Sequence, residues 1–346
     1  MKAVAYEGPA EVSVREVPDA RVEHPADAVV RVSTAGVCGS DLHFFHGKAP
    51  LLPGETMGHE AVGVVETTGA EVAHFAPGDR VVVSFVIACG TCWFCEHGQN
   101  QLCEDLLIPG AGAFGGGLGG AQAELLRVPR ADTNLLAVPD DVEDERAMFV
   151  GDVLTTGLYG AAAAGIEGGE TVAVVGAGPV GFHAVQAARL RGAAQVVALD
   201  MEPDRLALAE RVGAVPVNVR ERNAQMALSE FTDGRGADVA IECVGNPSGF
   251  DTALEVVRRG GVACVVGMYA NEQIEAQLGV WWARALDIRF AGMCPVHSWW
   301  REAIAELRAG RLDPTPLISH RLPLEEAPEG YALFDSRRAT KVLLQP

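Results

Sequence analysis

The sequence is short of positive charge and of long apolar runs. It carries 27 Lys and Arg against 46 Asp and Glu, a formal net charge of −19. So acidic a chain repels phosphate backbones, which argues against nucleic acid or an anionic membrane surface as its main partner. The plainer role of this charge, keeping a protein soluble, is the preferred reading. Apolar stretches such as Arg80–Gly90 are too short to span a bilayer. Met1–Val17 alternates apolar and charged residues as a strand does, without an apolar run of signal-peptide length. A cytoplasmic location is therefore expected. In a reducing compartment the eight cysteines read as metal ligands or core fillers before disulfides. No internal repeat is visible.

What is present suits a packed protein of about two domains: 346 residues, 49% of them hydrophobic. Residues 1–150 read as β-rich, with short Val-rich runs at 28–33, 61–67, 80–85 and 123–128 between Gly and Pro punctuation. From about residue 154, apolar strands alternate with helices. Strands are expected at 171–176, 195–200, 237–244 and 261–267, and helices at 179–191, 204–212 and 250–258. This pattern predicts a parallel sheet covered on both faces. A helix over 299–309 and a strand over 341–344 close the chain. The run 110–120 holds seven glycines and reads as a mobile loop.

Two constellations carry chemistry on their own spacing. The segment Thr171-Val-Ala-Val-Val-Gly176-Ala-Gly178-Pro179-Val180-Gly181 sets G-x-G-x-x-G between a strand and a helix. Gly176 permits the turn, Gly178 lets the backbone approach a pyrophosphate, and Gly181 lets helix pack on strand. The helix N-terminus, beginning at Pro179 and Val180, offers N–H groups and dipole to the phosphates. Asp200 ends the second strand, where a carboxylate accepts both ribose hydroxyls of NAD and repels the 2′-phosphate of NADP. Arg205 is close enough in sequence to contact such a phosphate, but Asp200 should dominate. The alternative is a structural βαβ unit with a surface Asp.

The second constellation is Cys89, Cys92, Cys95 and Cys103, spaced C-x2-C-x2-C-x7-C. Four thiolates can close a tetrahedral shell with no vacant position, the mark of a structural zinc, with disulfides as the alternative. A dispersed set, Cys38, His59 and Asp152, is not joined by spacing. Taken singly these are a small buried hydrophobe, a core histidine and a helix cap.

Motif order changes that reading. Gly-Val-Cys38-Gly-Ser40-Asp-Leu-His43, Met-Gly-His59-Glu60, the four-cysteine lobe, Val-Gly-Asp152-Val-Leu-Thr-Thr156-Gly and the Gly-Ala-Gly-Pro-Val-Gly turn follow one another. Over essentially its whole length the chain resembles the zinc-dependent medium-chain alcohol dehydrogenases, particularly their secondary-alcohol, threonine and polyol branches. The resemblance implies a GroES-like β-rich catalytic domain (1–153 and 291–346) around a Rossmann domain (154–290), with the active site in the cleft between them. It implies two zinc ions per chain. Cys38, His59 and Asp152 hold the catalytic one, with Glu60 visiting it or standing behind, and an Asp in third place makes the site harder than a two-thiolate one.

It also implies NAD-dependent oxidation of an alcohol held at zinc as an alkoxide, in exchange with its ketone. Ser40 takes the hydroxyl proton and passes it through the nicotinamide ribose to His43. Thr156, Val244 and Met268 lie near the nicotinamide, and Phe85 and Met268 wall the substrate pocket under the 110–120 loop. A tetramer is expected, built by edge-strand pairing with 281–292 as the candidate edge. Cys243, Cys264 and Cys294 are expected in the core, and Trp281, Trp282, Trp299 and Trp300 in packing or subunit contact. Two rival readings are a zinc-free quinone or enoyl reductase, and a non-catalytic NAD-binding sensor or zinc-stabilised structural protein. Each is disfavoured because the ligands and the relay residues are all present.

Overall fold

A computed structural model describes every residue from Met1 to Pro346. Its contacts divide the chain into two compact units, Met1–Thr155 with Pro295–Pro346, and Thr156–Cys294. The sequence reading set the second boundary at 290/291. The observed one lies later because Ala291 still bonds the parallel sheet through its N–H to Val265 O (2.9 Å) and accepts from the Tyr159 hydroxyl (2.9 Å).

In chain order the strands are β1 (Lys2–Gly8), β2 (Glu11–Glu16), β3 (Ala28–Val37), β4 (Glu60–Thr68), β5 (Arg80–Val83), β6 (Leu125–Val128) and β7 (Leu135–Ala137). Next come β8 (Thr171–Val175), β9 (Gln195–Asp200), β10 (Val215–Asn218), β11 (Ala237–Glu242), β12 (Val257–Val265) and β13 (Asp287–Phe290), then β14 (His320–Pro323) and β15 (Val342–Gln345).

The first unit is β-rich. β1 and β2 form an antiparallel hairpin, and a larger sheet runs β14-β15-β3-β4-β5-β7, with β6 also pairing β3. Alternation along these Val-rich strands turns Val30, Val65, Val81, Val83 and Leu126 into one core. β15 closes the sheet against β3, so the C-terminal segment is built into the same unit as residues 28–37.

The second unit is the expected parallel sheet, in the order β10-β9-β8-β11-β12-β13. Every pairing is parallel, and the order reverses between β8 and β11. Ligands of such sheets bind beyond the strand C-termini at that reversal. Helices Pro179–Leu190 and Pro247–Val256 flank it, each with Pro in its first turn, where a missing N–H is harmless. The fold is thus a GroES-like unit and a Rossmann unit. No helix is long and apolar enough to cross a membrane.

Two expectations need correcting. The 110–120 run is held at its two ends rather than mobile throughout: a β-carbon at Gly110 would stand 2.5 Å from the Gly58 backbone, and just past Gly120 the Ala121 and Gln122 N–H groups bond the Gly58 and Met57 carbonyls (2.8 and 3.0 Å), while Phe114, Gly116 and Gly117 between them are exposed. A β-carbon at Gly120 would stand 2.1 Å from the Met57 oxygen. At Gly110, Gly115 and Gly120 only glycine fits, because a β-carbon there would meet another backbone segment. Cys264 and Cys294 are buried as expected, but Cys243 is only half-buried. Of the tryptophans, Trp300 is buried beside His297 and Trp281 packs on Phe250, while Trp282 is 84% exposed.

Candidate functional site

The antiparallel register of β3 and β4 pairs Gly36 with Glu60. Cys38, just past the end of β3, and His59, just before the start of β4, therefore reach the same end of the sheet. The 3-10 turn Met148–Gly151 brings Asp152 to them, tied down by the Gly151 carbonyl on Phe85 N (3.3 Å) and by the Thr155 hydroxyl on the Val150 carbonyl (2.7 Å). Cys38 Sγ lies 3.6 Å from Asp152 Oδ2, and His59 Nε2 lies 3.2 Å from the same oxygen. Tetrahedral zinc, with bonds of about 2.3 Å to sulfur and about 2.0 Å to nitrogen or oxygen, spaces its donors roughly 3.3–3.8 Å apart. All three side chains are buried.

Their electrostatics also call for a cation. Burial pushes the Cys38 thiol up, and the nearby Glu60 and Asp152 carboxylates push it further. Burial opposes a charged His59, yet Asp41 and Asp152 raise it well above its ordinary value. A thiol, an imidazole and a carboxylate packed together out of water are costly unless something positive binds them. The residues fit zinc.

Four further candidates, Ser40, His43, Glu60 and Phe85, belong to the same unit as this trio. Ser40 Oγ is 3.2 Å from His59 Nε2, on the side where the ligand atoms converge. His43 lies further along the short helix Asp41–Phe45, its backbone N–H on the Ser40 carbonyl (3.1 Å), and it is half-buried. The Phe85 ring meets the His59 ring edge-on at 6.2 Å. Glu60 is wholly buried and points one oxygen at Lys341 Nζ, itself wholly buried, while its other oxygen has no hydrogen-bond partner.

The four cysteines of the lobe also converge. Cys92 Sγ lies 3.5 Å from Cys95 Sγ and 4.0 Å from Cys103 Sγ, and Cys89 Sγ lies 3.8 Å from Cys95 Sγ. Sulfurs on a tetrahedral zinc stand about 3.8 Å apart. Burial pushes Cys95 up to about 12, whereas at Cys89 it is outweighed by N–H and hydroxyl donors from Thr91 and Cys92, which bring that thiol down to about 6. N–H donors lower Cys92 as well, so two of the four sulfurs are biased toward the thiolate.

In the second unit the glycine turn follows β8. Gly176 has φ +90°, and a β-carbon on Gly181 would stand 1.8 Å from the Gly176 oxygen, so only glycine lets the helix start this close. Asp200 Oδ2 accepts the Ala177 N–H (2.7 Å), and Oδ1 accepts those of Met201 and Glu202 (2.7 and 2.9 Å). The Arg205 guanidinium stands over the turn, 3.7 Å from where a Gly178 β-carbon would be. Val244 follows β11 and is 43% exposed, Met268 follows β12, and Thr156 is buried in the helix Val153–Ala163.

Residues 24–140 match the family model of the alcohol dehydrogenase GroES-like domain, and residues 179–309 that of the zinc-binding dehydrogenases. A protein of Mycobacterium tuberculosis described as a probable zinc-binding alcohol dehydrogenase is 39% identical over 97% of this chain and 86% of its own. The chain belongs to the zinc-dependent medium-chain alcohol dehydrogenase family. The solved alcohol dehydrogenase TADH from Thermus sp. ATN1 superposes with a TM-score of 0.94 at 44% identity, covering 100% of this chain and 99% of that one. A structure from Sinorhizobium meliloti described only as a zinc-binding dehydrogenase, bound to NADP, gives 0.87 at 31% identity over 100% and 99%.

Sequence reasoning passed over three residues of this dehydrogenase. Asp41 lies inside the Cys38 motif; its Oδ1 is 3.1 Å from His59 Nδ1, while its Oδ2 accepts the Cys38 N–H (2.9 Å). Its place in the motif was the available signal. Lys341 had none, since a lone lysine near a chain end reads as surface. Glu242 Oε1 accepts the N–H groups of Val244 and Gly245 (2.6 and 2.8 Å) and so fixes the loop carrying Val244; an acidic residue ending an apolar strand was the clue.

Proposed function

We propose that this dehydrogenase oxidises a secondary hydroxyl of a mid-sized, uncharged substrate, such as a polyol or cyclic alcohol, and reduces the matching ketone, using NAD and two zinc ions per chain. The observation that carries the reading is the convergence of Cys38 Sγ, His59 Nε2 and Asp152 Oδ2 with the Ser40 hydroxyl beside them. Three protein donors leave a fourth position for substrate, whereas the four-cysteine lobe leaves none. When bound, zinc supplies Lewis acidity to a substrate oxygen and nicotinamide supplies the hydride acceptor or donor.

The chain's own residues do the rest. Asp41 accepts from His59 Nδ1, which leaves the Nε2 lone pair for the metal. Ser40 takes the proton of the substrate hydroxyl, and His43 is its outlet toward solvent. Phe85, whose ring meets His59 edge-on, gives the site an apolar side that favours carbon skeletons over charged groups. The Asp152 ligand and the Cys-Gly-Ser-Asp-Leu-His start support a secondary rather than a primary alcohol, by resemblance to those branches. Asp200, held by three backbone N–H groups, supports NAD, because its fixed negative charge would face a 2′-phosphate.

We further place the protein in the cytoplasm, where eight cysteines, none in a disulfide, suit a reducing medium. A homotetramer forms through the free edge of β13, where Phe290 and the nearby Trp282 are 67% and 84% exposed. The test is NADH formation with matched primary and secondary alcohols, each with NAD and NADP, repeated on Phe85→Ala. Higher kcat/KM on secondary alcohols with NAD is expected, with a profile widened by Phe85→Ala. A primary-alcohol preference overturns the substrate reading, and an unchanged profile in the variant removes Phe85 from the pocket.

A further inference from the structure

A buried polar chain leads from the C-terminal part of the molecule to the His59 ligand. Tyr331 lies on the helix Ala327–Asp335 and is wholly buried. Its hydroxyl donates to Gln122 Oε1 (2.9 Å). Gln122, also wholly buried, donates from Nε2 to the Gly36 carbonyl (3.0 Å) and to Asp41 Oδ2 (3.2 Å). Asp41, 2% exposed, meets His59 Nδ1 through its other oxygen.

Each link fixes the next. The two acceptors facing Nε2 use both of its protons, so Oε1 must face Tyr331, and a phenol hydroxyl is the donor that orientation needs. With the amide locked, a donor always faces Asp41. An amide turned the other way would set a carbonyl oxygen against the carboxylate and drive it off His59 Nδ1. The Gln122 backbone is held as well, its N–H on the Met57 carbonyl two residues before His59 (3.0 Å).

We propose that Gln122 and Tyr331 are positioning residues for the catalytic metal, holding Asp41 so that it fixes the ring plane and tautomer of His59. The inference rests on the reading of Cys38, His59 and Asp152 as metal ligands. Neither residue touches substrate or metal. Both act through Asp41, as partners behind metal-bound histidines do. A fully satisfied buried network rigidifies a site, while one missing link leaves a buried acceptor unpaired and the chain free to reorient.

The test uses zinc-loaded wild type, Tyr331→Phe, Gln122→Leu and Cys38→Ser, following zinc release to a chromogenic chelator. The phase missing from Cys38→Ser identifies the catalytic site. In Gln122→Leu that phase should be about tenfold faster, the usual scale for losing such a partner. In Tyr331→Phe, where only a hydroxyl is lost, it should be about threefold faster. The phase of the four-cysteine lobe should not change, and the d–d absorption of the cobalt(II)-loaded catalytic site should shift in both variants. Equal acceleration of both phases would show general loosening and overturn the proposal, as would unchanged release with an unchanged cobalt spectrum. If Gln122→Leu does not fold, the near-isosteric Tyr331→Phe decides alone. If Cys38→Ser keeps both phases, the ligand reading itself fails and takes this inference with it.

Discussion

Asp200 accepts three backbone N–H bonds, so its carboxylate is anchored beside the Gly176 turn, the place proposed for the ribose of NAD. Replacing it with Ser removes a fixed charge and loosens the Ala177 turn. NAD efficiency should fall, NADP efficiency should hold or rise, and the ratio of their kcat/KM values should narrow by about tenfold, the scale of one charge-assisted hydrogen bond. Equal wild-type efficiency with the two cofactors would contradict the role given to Asp200. At this scale legibility followed distance along the chain. Gly176, Gly178, Gly181 and Asp200 fall within one βαβ unit, and the four cysteines within fifteen residues, so spacing alone conveyed their geometry. Asp41 meets His59 eighteen residues away, and Lys341 meets Glu60 at a separation of 281; no local pattern announces such pairs.

Two elements hold the segments proposed to bind metal, and each can be perturbed separately. The first is the glycine run 110–120, held at its two ends. In Gly120→Ala the new methyl would meet backbone on the Met57–Gly58 segment, which cannot step aside without moving His59. The variant should lose stability by about 2 kcal/mol, as overpacking does, and should bind less than one catalytic zinc per chain. Denaturant unfolding and metal content check this. The sequence showed the glycines but not their cause, because a packed backbone and a loose loop draw on the same residue.

The second element is the helix Val296–Arg308. His297 Nε2 donates to Asn134 Oδ1 (3.0 Å), and Asn134 in turn holds the Ala88 N–H and carbonyl (2.8 and 3.0 Å) at the root of the cysteine lobe. The other ring nitrogen, Nδ1, is buried with no hydrogen-bond partner. Burial lowers this histidine to about 4. Between its ordinary value of about 6.5 and that figure, the unfolded chain binds a proton that the folded one refuses. Stability is therefore present above about pH 6.5 and is lost as pH falls toward 4, by up to about 3 kcal/mol. His297→Gln, which can still donate to Asn134, should flatten the melting temperature over that window. An equally steep loss in the variant would assign it to other groups.

Over the whole molecule, the long apolar strands and the Pro-capped helices were legible because periodicity and caps are local. The four-residue strand β10 and the helix Ala327–Asp335 were not. β10 is an edge of the parallel sheet and needs only half the apolar content of a central strand. The missed helix is defined by what it packs against, β2, β14 and β15, which its own sequence does not display. The assembly of β3, β4 and β15 is what brings Cys38, His59, Glu60 and Lys341 together from opposite ends of the chain.

Two donor sets with different roles, one holding a working zinc and the other a structural zinc, should behave separately when either is broken. Zinc counted per chain by elemental analysis, in wild type, Cys38→Ser and Cys95→Ser, tests this most directly. Active wild-type protein should hold two zinc ions per chain. Cys38→Ser should hold one, without turnover but with NADH binding nearly intact, whereas Cys95→Ser should lose the other chiefly at the expense of thermal stability. Active protein that contains no zinc, or a Cys38→Ser variant that retains both ions and full turnover, would contradict it.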